Sequence, residues 1–170
     1  MSKLAIYLVR HGIAADAGPD GSDYDRPLTA EGVADLRGEA AGLNQLKVKW
    51  NLILTSPLVR ARQTADVLAS SLDSKVSVGV LAALAPSGSP AEVALELRKH
   101  AAKGPVALVG HEPGMGDLAA RWLGAHRPVV FKKGGICRID FDPPFRDRDG
   151  ALRWFATPKM LMLIGHASPA

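Results

Sequence analysis

The chain has 170 residues, 47% hydrophobic and 22% charged, with a formal charge of +4. That length predicts one domain over residues 1–170 that buries its own core, and the balance excludes a disordered chain, a collagen and a coiled coil. The basic residues are scattered and aromatics are only 5%, which argues against nucleic-acid binding.

Short apolar runs alternate with helical patterns, the mark of a βα series. Leu4–Val9 reads as the first strand. A loop rich in Gly, Asp and Pro runs from Gly12 to Pro27. Its Asp16, Asp20, Asp23 and Asp25 are read as turn and solubility residues, one of which is able to reach a pocket. Thr29 caps a helix over about Ala30–Leu43, with Leu36, Ala40 and Leu43 on one side. Leu52–Leu54 is a buried-type strand, and Ser56-Pro57 opens the next helix with Ser56 as N-cap. Val76–Leu81 reads as a strand. Ser89-Pro90 opens a third helix that runs to about Ala102 and closes at Gly104. Val106–Val109 is the most apolar strand, and a helix runs from Gly114 to about Leu123.

The last third changes character. Cys137, Ile139 and Phe141 alternate with Arg138 and Asp140, and Leu152, Trp154 and Ala156 alternate with Arg153 and Phe155. Period-2 alternation predicts antiparallel strands near an edge. The expected fold is a three-layer α/β/α sandwich with a mostly parallel central sheet and a mixed antiparallel edge. Trp50, Trp122 and Trp154 are assigned to the core or its rim, whereas His100, His126 and His166 are read as surface residues. No stretch approaches the roughly 20 apolar residues of a bilayer span, and Leu4–Val9 is too short for a signal peptide. The single cysteine, Cys137, suits a reducing compartment, so the expectation is a cytoplasmic protein without membrane association.

Two strands end alike. Leu8-Val9 runs into Arg10-His11-Gly12, and Leu108-Val109 runs into Gly110-His111-Glu112-Pro113-Gly114. Ligands of open α/β sheets bind beyond the carboxyl ends of strands, so both histidines are candidates for one site. A third constellation, Ser56-Pro57-Leu58-Val59-Arg60-Ala61-Arg62-Gln63-Thr64-Ala65, places a helix N-terminus on the same rim, where free N–H groups favour phosphate. Arg60 and Arg62 lie about 200° apart on that helix, so at most one enters a pocket. Both border the apolar face, and periodicity does not choose between them.

These three segments, with Arg26-Pro27-Leu28-Thr29-x-x-Gly32, His111-x-Pro113-Gly114 and Trp154-x-x-x-Pro158, resemble the histidine phosphatase superfamily, phosphoglycerate mutase-like, and within it the SixA-type phosphohistidine phosphatase branch. The resemblance covers nearly the whole chain. It implies that His11 attacks phosphorus and becomes a phosphohistidine, while Arg10, Arg60 and His111 surround the phosphoryl oxygens. His111 is then expected to be protonated beside the bound anion, and His11 to be fixed in one tautomer by a hydrogen bond from the Gly12 region.

No cofactor or metal is implied, because the four basic groups supply the charge. The mutase-like members' glutamate has no counterpart in Leu81–Ser89. The acid phosphatase branch places an acid where Glu112 stands, so Glu112 is either the general acid or a carboxylate at a helix start. The implied substrate is phosphohistidine on a protein, with a phosphate or sulfate anion expected in the pocket; Lys132-Lys133 reads either as a solvated loop or as a pair that steers an acidic partner to the rim. The implied form is a monomer in signal transduction. The alternatives are a phosphatase of small phosphate esters and a non-catalytic phosphate-binding module. The absence of Gly-x-Gly-x-x-Gly after the first strand counts against a dinucleotide enzyme.

Overall fold

A computed structural model describes residues 3–73, 75–100 and 103–167. In chain order the elements are β1 (Leu4–Arg10), α1 (Ala30–Gln45), β2 (Leu52–Thr55), α2 (Val59–Ser71), β3 (Ser77–Val80), α3 (Pro90–Arg98), β4 (Val106–Gly110), α4 (Gly114–Leu123), β5 (Ile136–Phe141), β6 (Ala151–Ala156) and α5 (Pro158–His166). The strands form one sheet in the order β3-β2-β4-β1-β5-β6. The first four are mutually parallel, and β5 runs antiparallel to both β1 and β6. This is the expected three-layer sandwich with a mixed edge.

The two cores follow from strand periodicity. Ile6 and Leu8 of β1, Leu52 and Leu54 of β2, and Val106 and Leu108 of β4 face α3 and α4. Tyr7, Val9, Ile53, Ala107 and Val109 point the other way, toward α1, α2 and α5. Trp122 is fully buried on the first side and Trp50 on the second, with Trp154 packed at the rim of the second. Cys137 is a free thiol inside the first core.

Caps set the helix starts. The Thr29 side chain accepts the Gly32 N–H at the start of α1. Ser89 and Glu92 form a reciprocal capping box on α3. Two expectations are corrected. Ser56 is not the N-cap of α2: the helix begins at Val59 behind Leu58, which makes no side-chain cap bond. The Ser56 hydroxyl turns inward to a histidine, as described below. Helix α3 ends at Arg98, short of Ala102; Ala102 itself lies outside the described residues. Leu97 is its last buried residue, and Lys99 is exposed, so it adds no core contact to extend the helix.

Helix α5 is an addition to the sequence reading. Thr157 accepts the Met160 N–H and Pro158 occupies the first turn. It lies against α1 through glycines: a Cβ on Gly42 would run into the Leu161 carbonyl, and one on Gly165 would stand 2.8 Å from the Gly42 nitrogen. Among the described residues no helix is long and apolar enough to cross a membrane.

Candidate active site

The parallel strands deliver the site residues to one level. Arg10 pairs in register with Gly110, and Thr55 with Val109. The next residues continue the ladder: the His11 N–H donates to the Gly110 carbonyl at 3.0 Å and the Ser56 N–H to Val109 at 3.0 Å. Neighbouring strands lie about 4.8 Å apart, so His11, Ser56 and His111 must share one rim. The His11 and His111 rings are 5.1 Å apart between centroids.

His11 is held at both ends. Its Nδ1 is 2.7 Å from the Gly12 carbonyl oxygen. A carbonyl only accepts, so Nδ1 carries the proton and the lone pair of the neutral ring lies on Nε2. Arg60 Nε donates toward that Nε2 at 3.3 Å. Gly12 is fixed in turn, because its N–H donates to Thr64 Oγ1 at 3.0 Å while that hydroxyl donates to the Arg60 carbonyl at 2.7 Å.

Arg60 is 5% exposed, whereas Arg62 points to solvent. Arg10 Nη1 donates to the Phe131 carbonyl at 2.7 Å. The turn at Gly134 secures the Arg10–His11 backbone, its N–H reaching the Arg10 and His11 carbonyls at 3.1 and 3.0 Å. With φ +84°, and with a Cβ there set to strike Glu39, that position requires glycine.

His111 Nε2 is 2.8 Å from Ser56 Oγ. The hydroxyl also accepts the Leu58 N–H at 3.3 Å, so its own proton is free for Nε2. That arrangement leaves the proton of neutral His111 on Nδ1, which is buried and unpaired. Arg10 Nε is likewise buried and unpaired. A site with two unsatisfied donors beside a buried guanidinium is built to receive an anion.

Burial, then the charges of His111, Arg60 and Arg10, push His11 down to about 3 against the opposing Gly12 bond. Burial and Arg60 push His111 down to about 4. Both rings are therefore neutral at pH 7 in the free protein. The expectation of a protonated His111 is therefore corrected for the free protein, where burial and the neighbouring arginines hold the ring neutral.

All four basic residues expected from the sequence come together. Glu112 lies beside them, but both its oxygens are engaged: Oε1 accepts the Phe131 N–H at 2.7 Å and Oε2 the Gly116 N–H at 3.3 Å. Of the four loop aspartates, Asp23 reaches the site, its Oδ2 3.2 Å from Arg60 Nη2. Ser56 and Thr64 carry site roles that sequence reasoning did not give them. They stood inside the third motif, but a hydroxyl there reads equally as a cap. Among the described residues, no group of three His, Cys, Asp or Glu side chains is placed to hold a metal. A cavity of about 110 Å³ opens beside His111, walled by Leu84, Val93 and Met115 together with Ser89, Glu112 and Asp117.

Glu39 lies under this site and is 1% exposed, with Oε2 unpaired. Burial, and secondarily Asp35, raises it to about 9. In the unfolded chain it ionises near 4.5, so between those values the unfolded state holds fewer protons. Stability is then lost as pH rises through that window, at up to about 1.4 kcal/mol per pH unit. Glu39→Gln should remove this slope. Urea melts at pH 5 and pH 8 should show the variant gaining on the wild type at pH 8 and little at pH 5. Equal differences at both would place an ionised Glu39 in the folded state.

Comparison with known proteins places this geometry. A family model described as the Histidine phosphatase superfamily (branch 1) matches residues 6–85. The phosphohistidine phosphatase SixA of Escherichia coli (strain K12) is 31% identical over 158 residues, 91% of this chain and 94% of that protein. An uncharacterized protein of Picosynechococcus sp. is 42% identical over 139 residues, 78% of this chain and 82% of its own. A solved structure of the protein histidine phosphatase SixA complexed with tungstate superposes with a TM-score of 0.83 at 29% identity, covering 92% of this chain and 98% of that one.

Proposed function

The chain belongs to the histidine phosphatase superfamily, and from that premise we propose that it hydrolyses phosphohistidine on a partner protein through a covalent phosphoryl intermediate on His11. The observation that carries this reading is the His11 ring itself. Its Nδ1–H is anchored on Gly12 and its Nε2 lone pair faces the buried Arg60. A neutral imidazole at pH 7 needs no separate base to attack phosphorus.

The proton balance favours phosphohistidine. The His11 Nε2 lone pair forms a bond to phosphorus as the substrate P–N bond breaks, and that pair returns to the leaving nitrogen. The leaving imidazole keeps the proton on its other nitrogen and departs neutral, while His11 becomes the phosphorylated imidazolium. One imidazole replaces another, and no proton moves. Water then attacks, the pair of the new P–N bond returns to Nε2, and dihydrogen phosphate leaves with both protons of the water. Arg60, Arg10 Nε and His111 Nδ1 would hold the equatorial oxygens throughout.

An alkoxide leaving group would need a proton donor. We assign Glu112 to positioning, since its two oxygens tie the start of α4 to the loop at Phe131, whose carbonyl holds Arg10. Glu112→Gln should slow all substrates by a similar factor of a few, because it removes one of the two oxygens that accept backbone N–H groups. Plots of rate against leaving-group pKa should keep the same slope in wild type and variant. A slope that steepens in the variant, with esters of poor leaving groups slowed roughly 10²-fold, would return Glu112 to the role of general acid.

The function itself is tested by comparing a phosphohistidine protein, a sugar phosphate and an aryl phosphate side by side. The highest kcat/KM should fall on phosphohistidine, with an acid-labile phosphoenzyme trapped during turnover. Turnover of sugar phosphates without turnover of phosphohistidine would defeat the proposal.

A further inference from the structure

We propose that Asp23 is a specificity-determining residue: its carboxylate, held across the mouth of the phosphoryl site by Arg60 and Arg26, favours substrates with positive charge on the leaving group and rejects those that bring a second anion. This deepens the function proposed above and rests on it for the location of the phosphoryl site.

Asp23 is fixed by contacts on three sides. Its main-chain carbonyl accepts Arg60 Nη1 at 2.7 Å, its Oδ2 accepts Arg60 Nη2 at 3.2 Å, and its Oδ1 accepts Arg26 Nη1 at 2.8 Å. Arg26 is itself anchored, with Nε donating to the Ala15 carbonyl at 2.6 Å. The Tyr24 carbonyl accepts the Val59 N–H at 3.2 Å, which ties the loop to the start of α2. A loop that the sequence reads as turn and solubility residues is thus built to hold one carboxylate in one place.

That place is the solvent side of the site. The Arg60 side chain is 6% exposed and the Asp23 side chain 62%. Attack by His11 is in line, so the leaving group must lie on the far side of phosphorus, toward the mouth. Asp23 therefore stands where the leaving group passes. Its charge also reaches His111, opposing the effect of Arg60 and Arg10 there.

A carboxylate here does nothing for phosphoryl binding, since it occupies donors of the very arginine that a phosphoryl oxygen needs. Its effect is on what is attached to the phosphoryl group. When a phosphoramidate binds, the departing group carries a proton and a positive charge until the P–N bond breaks and its electron pair neutralises the nitrogen. An ionised carboxylate within a few ångströms stabilises that bound form and acts mainly on KM. The same carboxylate repels a carboxylate or second phosphate on the substrate. At an exposed rim the discrimination amounts to about 10-fold, and salt screens it.

The test uses Asp23→Asn, which removes the charge and keeps one side-chain oxygen for one of the two arginines, with phosphoimidazole, phenyl phosphate and 4-carboxyphenyl phosphate as probes. Phenyl phosphate cancels any common effect on phosphoryl binding. Relative to it, the variant's KM for phosphoimidazole should rise roughly 5- to 10-fold, and its KM for 4-carboxyphenyl phosphate should fall by a similar factor. Both differences should shrink at about 0.5 M salt. A parallel change for all three probes would reduce Asp23 to a positioning residue for Arg60 and overturn the inference. The two ideas fail separately. If the wild type turns over no phosphoramidate, the proposed function falls while the two aryl phosphates still read the charge of Asp23. An unchanged ratio between those two overturns the inference and leaves the function standing.

Discussion

His11→Ala should lower turnover by about 10⁴-fold or more and abolish covalent labelling, the scale expected when a nucleophile is removed from an intact site. Among the described residues no second group stands ready to replace it. His111 lies 5.1 Å away ring to ring, but its Nε2 is engaged by Ser56 and its Nδ1 carries the proton in the arrangement described above. The anion site should survive, because Arg10 and Arg60 hold their positions through the Phe131 and Asp23 carbonyls, independent of the His11 side chain. The measurement is a pair: steady-state rate, and trapping of acid-labile phosphate on the protein with radiolabelled substrate. Phosphate binding by calorimetry serves as the control for an intact pocket. Acid-labile labelling that persists in the variant would move the nucleophile to His111.

The parts of this site that the sequence made legible are those set by strand ends. His11 and His111 each follow an apolar run and precede or follow glycine, and parallel pairing of β1 with β4 brings such positions to one rim whatever the loops do. The choice between Arg60 and Arg62 was not legible from periodicity. Both flank the apolar stripe of α2, and the decision rests on long-range contacts, namely the His11 ring and the Asp23 loop.

Ser56 misled for a physical reason. A serine before Pro at a helix start offers the same oxygen to a cap and to a buried histidine. Here its oxygen accepts the Leu58 N–H and also contacts His111, while the helix starts two residues later than the cap rule expects. Asp23 was hidden because Gly, Asp and Pro dominate its loop, and local composition does not distinguish a solvated aspartate from one clamped by two arginines. Helix α5 carried a usable signal in Thr157-Pro158, but the unbroken apolar run Met160–Ile164 shows no polar face to mark a helical period.

Arg60→Ala should cost kcat/KM about 10²- to 10³-fold, or roughly 3–4 kcal/mol of transition-state stabilisation, whereas Arg62→Ala should stay within about 2-fold of wild type. The two side chains sit two residues apart on one helix and carry the same charge, so the comparison isolates placement. Arg60 is buried, spans His11 Nε2 and Asp23, and would give its donors to the phosphoryl oxygens as negative charge spreads over them. Arg62 is exposed and faces away. Arg60→Lys should recover little, because an ammonium cannot reach the nucleophile and the Asp23 carbonyl at once from a planar fork. A second readout separates electrostatics from misfolding. Arg60 is one of the charges that depress His11, so the His11 ring should titrate at higher pH in Arg60→Ala, as followed by NMR, and remain unmoved in Arg62→Ala. Equal kinetic losses in the two alanine variants would show that net charge at the rim, rather than a guanidinium on the phosphoryl group, drives the reaction.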